Sequence, residues 1–417
     1  MAGKHDGRGA TDSGANRLNS AESPVAKVFS EEAAAITGTL VRLLGDFALA
    51  EEAVQDAFVA ALEHWPAEGV PDRPGAWLFT VARRKALDSL RRDSVYREKL
   101  MQVEWPSAQE PDDRLRLIFT CCHPALSREA QIALTLRAVC GLTSDQIARA
   151  FLTSEATIAK RIVRARRKIV DAGIPYRLPR SSDLEERIGE VLAVLYLTFN
   201  EGYLATAGPT AQRRDLAEDA ARLTAMLSKL LPDHAEILGL LALMQLHLAR
   251  TAARFDLNGD LVLLQNQDRA RWDREGIDAG IATLQEAAKL NHPGIYQLQA
   301  AIVACHADAP SWELTDWRQI VALYDALYEI APTPVVQLNR AIAVAHLAGA
   351  ADGLRELAAC ADRLEAYPLY HSARALLMAE MGDRAEERSE LQRALELTTN
   401  PAERSLLLGR LAASESK

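Results

Sequence analysis

The chain has no run of about 20 consecutive apolar residues, the length a bilayer-spanning helix needs. Its most apolar stretch, Ile237 to Leu248, is shorter and carries Gln245 and His247. It reads as a buried helix, and the chain as a cytoplasmic protein with no membrane partner. Cysteine is scarce: Cys121, Cys122, Cys140, Cys305 and Cys360 are odd in number and scattered. That spacing suits reduced thiols rather than a disulfide framework. Cys121-Cys122-His123 raises the idea of a metal, but no C-x-x-C or H-x-x-x-H pair follows. The cysteines read better as small buried hydrophobes, and no metal or other cofactor is expected. There is no Gly-rich phosphate loop and no nucleophile motif, so the chain is not read as an enzyme and no catalytic residue is assigned. The opening MAGKHDGRGATDSGANRLNS lacks the apolar segment of a signal peptide and reads as a disordered tail, 1–25. No stretch alternates long enough for a strand, while helical periodicity runs through most of the chain after it. The fold class is all-α.

What is present is an uneven charge. The 417 residues carry a formal net charge of -9. Residues 1–182 hold 26 Lys/Arg against 23 Asp/Glu, a net of +3. The remainder holds 22 against 34, a net of -12. Such asymmetry points to one part that meets a polyanion and one that does not, or to surface charge that simply differs between domains.

Turn signals divide the chain. A first helical block covers 26–93, and an acidic, Pro-containing linker covers 94–111. A second block covers 112–172, and IPYRLPRSSD marks a linker at 173–183. Residues 184–417 are helix after helix. In the first block, Val54, Phe58, Ala61 and Leu62 form an apolar stripe on one helix. Glu51, Glu52, Gln55 and Asp56 fall on its other side. After the loop EGVPDRPG, a further helix carries Trp77 and a basic surface of Arg83, Arg84, Lys85, Arg91 and Arg92. Near the C-terminus, Asn339–Leu357 aligns with Ala373–Leu391. Arg340 and Arg374 stand 34 apart, as do Leu357 and Leu391, while Gly349 and Gly382 stand 33 apart. This is the signature of a tetratricopeptide-like array, and an ordinary bundle of αα-hairpins is the alternative.

The segment TSEATIAKRIVRARRKI, Thr153–Ile169, holds six Lys/Arg and one acid. At 100° per residue, Ile158, Ala159, Ile162, Val163, Ala165, Ile169 and Val170 fall in one half of the wheel. Thr157, Lys160, Arg161, Arg164, Arg167 and Lys168 fall in the other. Arg166 is the exception, projecting on the apolar side. CGLTSDQIARAF before it reads as a short helix, and Thr153 or Ser154 as the cap of the basic one. Short helix, tight turn and longer basic helix make a helix-turn-helix. Thr157, Lys160, Arg161 and Arg164 would face the major groove, with Arg167 and Lys168 on phosphates. A solvated basic face is the plainer alternative.

Two blocks together resemble one family. GDFALAEEAVQDAFVAALEHW with WLFTVARRKALDSLRR resembles region 2 of bacterial extracytoplasmic-function sigma factors, of the sigma-70 family. LSREAQIALTLRAVCGLTSDQIARAFLTSEATIAKRIVRARRKI resembles their region 4. IPYRLP, AVLYLTFNEGY, LVLLQNQDRARWDR, TDWRQIVALYDAL and PVVQLNRAIAVA look like the C-terminal extension of a subfamily with a tetratricopeptide-like domain. The resemblance implies a transcription initiation factor with two partners, core RNA polymerase and promoter DNA. It implies that Glu51, Glu52, Gln55 and Asp56 meet the β′ clamp helices, and that region 4 meets the β flap. Trp77, Arg83, Arg84, Lys85 and Arg91 would open the minus-ten element, though a Trp on an apolar helical face is also ordinary core. The basic helix would read the minus-thirty-five element. The C-terminal domain would act as regulator, inhibiting or assisting, with an unknown regulator as a further partner. FNEGY and DRARWDR, with Tyr203 and Trp272, would line an interdomain contact or belong to the core. A free-standing helix-turn-helix repressor is the competing reading; it needs no acidic face at Glu51–Asp56.

Overall fold

The computed structural model describes residues 24–89, 111–140, 142–151, 153–180, 182–204, 211–256, 260–398 and 400–415. The expected tail up to residue 23, the expected linker up to residue 110 and Arg91 lie outside them. Among the described residues the fold is all-α, with one isolated bridge between Phe255 and Leu261. The chain divides into two compact units. One is built from residues up to Ile147 and from Ser154–Arg187, the other from Ala148–Thr153 and Ile188 onward.

The first unit opens with α1 (Pro24–Leu44), α2 (Phe47–Glu68) and α3 (Pro74–Ser89). Asp46 starts α2 by accepting from the backbone N–H groups of Ala48 and Leu49 at 2.9 and 3.1 Å, which satisfies two donors a helix start would leave orphaned. Ile36 and Leu40 of α1, Ala57 of α2 and Leu78 of α3 are fully buried. Val54, Phe58 and Ala61 join them, but Leu62, expected in the same stripe, is 56% exposed. It falls at the edge of the face that α1 and α3 cover. α4 (Pro111–Cys121) packs on α1, and α5 (Arg128–Ala138) packs on α4. Cys121 and Cys122 are fully buried at the end of α4. Burial pushes the Cys121 thiol well up, so it stays protonated and unreactive. α6 (Ser144–Ala150) and α7 (Glu155–Asp171) follow, and α7 packs on α5.

The helix-free run after α7 carries the Pro-rich sequence and ends where α8 (Leu184–Leu204) begins. Tyr176 on this run donates its hydroxyl to the Asp113 carbonyl at 2.8 Å.

The second unit continues with α9 (Ala211–Leu230) and α10 (Ala235–Leu248). Then come α11 (Arg274–Lys289), α12 (Ile295–Asp308), α13 (Trp317–Ile330), α14 (Pro334–Ala348) and α15 (Ala350–Ala358). The chain closes through α16 (Ala361–Leu364), α17 (Pro368–Glu380), α18 (Arg384–Leu397) and α19 (Pro401–Glu415). The Ile237–Leu248 stretch forms most of α10, which packs against α9, α11 and α12. Tyr203 and Trp272 are 9% and 4% exposed, so both belong to the core of this unit.

The 34-residue relation appears as two matching hairpins, α14–α15 and α17–α18. Gly349 and Gly382 sit at the two junctions with φ of 105° and 82°, a backbone region that side chains with a Cβ rarely enter. Arg340 bonds Glu356 at 2.7 Å, and Arg374 bonds Glu390 at 2.6 Å. Each pair spans 16 residues, from the first helix of its hairpin to the second. Leu357 and Leu391, the next residues after those acids, are fully buried. The repeat therefore preserves both a buried leucine and an ion pair beside it. Glu390 also holds His371 at 2.6 Å. We expect Leu391→Ala to destabilise the second unit by about 2–5 kcal/mol, and Gly382→Ala by about 1–2 kcal/mol. Urea unfolding followed by circular dichroism would measure both; equal midpoints for Leu391→Ala and the unaltered chain would contradict the packing described.

Candidate nucleic-acid interface

α7 is fixed at its start by Ser154, whose hydroxyl accepts from the Thr157 N–H at 3.2 Å. Ser154, rather than Thr153, is therefore the cap. Its Oγ also lies 2.8 Å from the Thr157 hydroxyl. Ile158, Ile162, Ala165 and Ile169 are buried. Taking Ile158 as zero, these four lie within about 60° of arc. Val163 and Val170 were expected on the same face, but they are 60% and 70% exposed. They fall about 120–140° from Ile158, beyond the reach of the packing surface.

The opposite face holds the cations. Thr157, Lys160, Arg164, Arg167 and Lys168 are exposed and Arg161 is half-buried. Arg167 pairs with Asp171 at 3.4 Å, one turn along, with both side chains in solvent. Such a pair contributes little and leaves the arginine able to exchange partners. An open groove of about 460 Å³ runs between α7 and the start of α5. Its walls are Leu126, Ser127 and Ala130 on one side, and Thr157, Lys160, Arg161, Arg164 and Lys168 on the other. The start of α5 adds its partial positive charge to the cationic wall. Glu129 sits there with its carboxyl held below the usual range by its own backbone N–H, then by Ser127, with Arg161 adding a smaller effect. Four cations lining one concavity can hold a polyanion.

The other expected residues divide into separate groups. Trp77 of α3 is half-buried with its ring edge-on to the buried Trp65, centroids 5.5 Å apart. Arg84 and Lys85 are exposed and Arg83 is half-buried. Glu52 and Asp56 of α2 are exposed and Gln55 is half-buried. Lys85 reaches Asp56 at 3.6 Å, so the basic edge of α3 borders the acidic edge of α2.

Glu51 departs from the expected exposed face. It is 3% exposed. Gln55 donates to its Oε1 at 2.8 Å, Arg137 of α5 donates to the same oxygen at 3.1 Å, and Arg166 of α7 forms an ion pair with Oε2. The helical wheel places Glu51 correctly relative to Glu52 and Asp56, but says nothing about a neighbour that covers only one edge of that face. The same contact accounts for Arg166, whose position on the apolar side had no partner in its own helix. The pairing of Glu51 with Arg137 and Arg166 had no local sequence signal, because the residues lie far apart in the chain.

Comparison with known proteins adds three family matches. Residues 28–95 match sigma-70 region 2, and 116–169 match sigma-70 region 4. Residues 187–288 match a family of unknown function, DUF6596. An uncharacterized protein of Rhizobium meliloti is 43% identical over 88% of this chain and 90% of its own length. The ECF RNA polymerase sigma factor SigL of Mycobacterium tuberculosis is 31% identical over 32% of this chain and 80% of its own length. The probable ECF RNA polymerase sigma factor SigI of the same species is 29% identical over 36% of this chain and 56% of its own length. No solved structure matches. No described helix is long and apolar enough to cross a membrane.

The cap of α7 gives a local test. Ser154→Ala should cost about 1 kcal/mol, and Ser154→Asp should cost far less because a carboxylate can accept the same N–H. Thermal melts of the two variants would show the difference; equal losses would mean that the cap does not support the helix.

Proposed function

Because the chain belongs to the extracytoplasmic-function sigma factors of the sigma-70 family, it is an RNA polymerase sigma factor for transcription initiation, and we propose the following division of labour among its residues. α7 reads the minus-thirty-five element in the major groove through Thr157, Lys160, Arg161 and Arg164. Arg167 and Lys168 take phosphates. Arginine and lysine suit both tasks, since they donate to guanine acceptors and to phosphate oxygens. The observation that supports this most directly is the exposed cationic face of α7, opposite a fully buried Ile158/Ile162/Ala165/Ile169 stripe.

Region 2 opens the minus-ten element. Arg83, Arg84 and Lys85 draw in the backbone, and Trp77, half-buried beside Trp65, offers an aromatic ring on which an unstacked base can stack. Arg91 belongs to the same group by sequence. Glu52, Gln55 and Asp56 meet a basic surface of the polymerase, the β′ clamp helices, where charge complementarity speeds and orients docking. Region 4 docks on the β flap. The C-terminal helical domain regulates activity or polymerase binding. Residues 183–417 carry a net charge of -12, which disfavours direct contact with DNA.

Core RNA polymerase supplies the test. The full chain should bind core enzyme and direct it to a promoter, and Glu52→Lys with Asp56→Lys should weaken core binding by about tenfold or more. Arg164→Ala should weaken promoter binding and reduce its salt slope by about one. A chain that bound duplex DNA alone, and never bound core enzyme, would instead be a free-standing repressor.

A further inference from the structure

The motif DRARWDR, residues 268–274, has no part in the DNA or polymerase surfaces, and in the second unit it gathers cations that lack acids. Arg250, just past α10, is 6% exposed and Trp272 of the motif is 4% exposed. The guanidinium carbons of Arg250 and Arg269 lie 5.8 and 4.5 Å from the centre of the same Trp272 ring. Arg269 Nη1 donates to the His306 and Ala309 carbonyls at 2.7 Å each, which brings the end of α12 to the group. Four nitrogens here are buried with no hydrogen-bond partner among the described residues: Arg250 Nε, Arg269 Nη2, Trp272 Nε1 and His306 Nδ1.

The motif's own aspartates are engaged elsewhere. Asp268 accepts from the Ala270 N–H at 2.9 Å and Asp273 from the Gly276 N–H at 3.1 Å, so both cap helix starts. Arg250 Nη2 reaches only the imidazole of His247, at 3.2 Å, which burial keeps neutral. Burial lowers the Arg250 guanidinium; Tyr203 opposes this and Arg254 adds to it. Burial, then Arg250, lowers Arg269, and the exposed Glu313 opposes. Burial and then these two arginines push His306 down to about 3, so its ring is neutral. Acids are not scarce in this unit. Arg340 and Arg374 each reach two carboxylates, and residues 183–417 hold 34 Asp/Glu against 22 Lys/Arg.

We propose that Arg250, Arg269, Trp272 and His306 form a binding site for a small oxyanion, the carboxylate or phosphate group of a soluble molecule. A buried guanidinium without an acid is costly, and the cost falls when a ligand brings the missing charge. Water can accept from any of these donors but carries no charge to offset two arginines. The planar forks of arginine match the paired oxygens of carboxylate and phosphate, and the indole N–H adds a neutral donor. Arg269 is half-buried, so the site is reached from its side. The site does not depend on the sigma-factor function.

The full chain is melted in about 10 mM inorganic phosphate or succinate, against sodium chloride at matched ionic strength. Either oxyanion should raise the midpoint by about 3 °C or more, and the two arms separate phosphate from carboxylate. Arg250→Met should abolish that rise without lowering the midpoint in chloride, because it removes a buried cation that has no acid. Arg269→Lys, at the more exposed position, keeps the charge but loses the fork. It should weaken binding about tenfold in titration calorimetry, and it stands in if Arg250→Met fails to fold. No rise in the unaltered chain would overturn the site and leave water as the shared acceptor. A rise of equal size in both variants would also overturn it, marking the arginines as caps of helix ends alone.

Discussion

A carboxylate taken out of water must find cations or lose several kcal/mol. Glu51 and Asp113 both face that constraint in the first unit, and neither meets it within its own region alone. Glu51 sits on α2 beside residues of the acidic face, yet its oxygens are held by guanidinium groups from α5 and α7. Asp113 is reached from α1. These long-range pairs set how the two sigma regions lie against each other. They also decide which of the charged residues remain available to a partner.

The availability is clearest on α7. Its apolar arc is narrow, so most of the helix circumference is open. Five of the six expected contact residues are exposed, while Arg166 turns inward to Glu51. One helix thus supplies both a surface for phosphate and an internal counter-ion. The difference between Arg164 and Arg166 is about 200° around the helix axis, not a difference in chemistry.

The second unit meets its constraint in a different way. Each hairpin can bury only one face alone, so neighbouring hairpins must stack. Arg340–Glu356 and Arg374–Glu390 brace successive hairpins at the same register. Those arginines were visible in the sequence as a 34-residue repeat; the acids they bond also stand 34 apart. Tyr203 and Trp272 were ambiguous, because an aromatic ring beside charged residues fits a surface contact or a core equally well. Burial against their own unit resolves that, with Arg254 lying 3.9 Å from the Tyr203 ring centre.

Periodicity and cap chemistry alone determined the all-α class, the basic face of α7 and the 34-residue repeat, while the two sigma regions and their order were legible only through a family resemblance carried by local motifs. These are local properties: a helix start, a wheel and a spacing depend on residues within a few turns of one another. Only the tertiary structure decided that Glu51 is internal, that Arg166 is its counter-ion, and that Leu62, Val163 and Val170 face water. A wheel gives the angle of each side chain about its own axis. It carries no information on how wide a neighbouring helix is or which residue that neighbour presents, and burial is set by both.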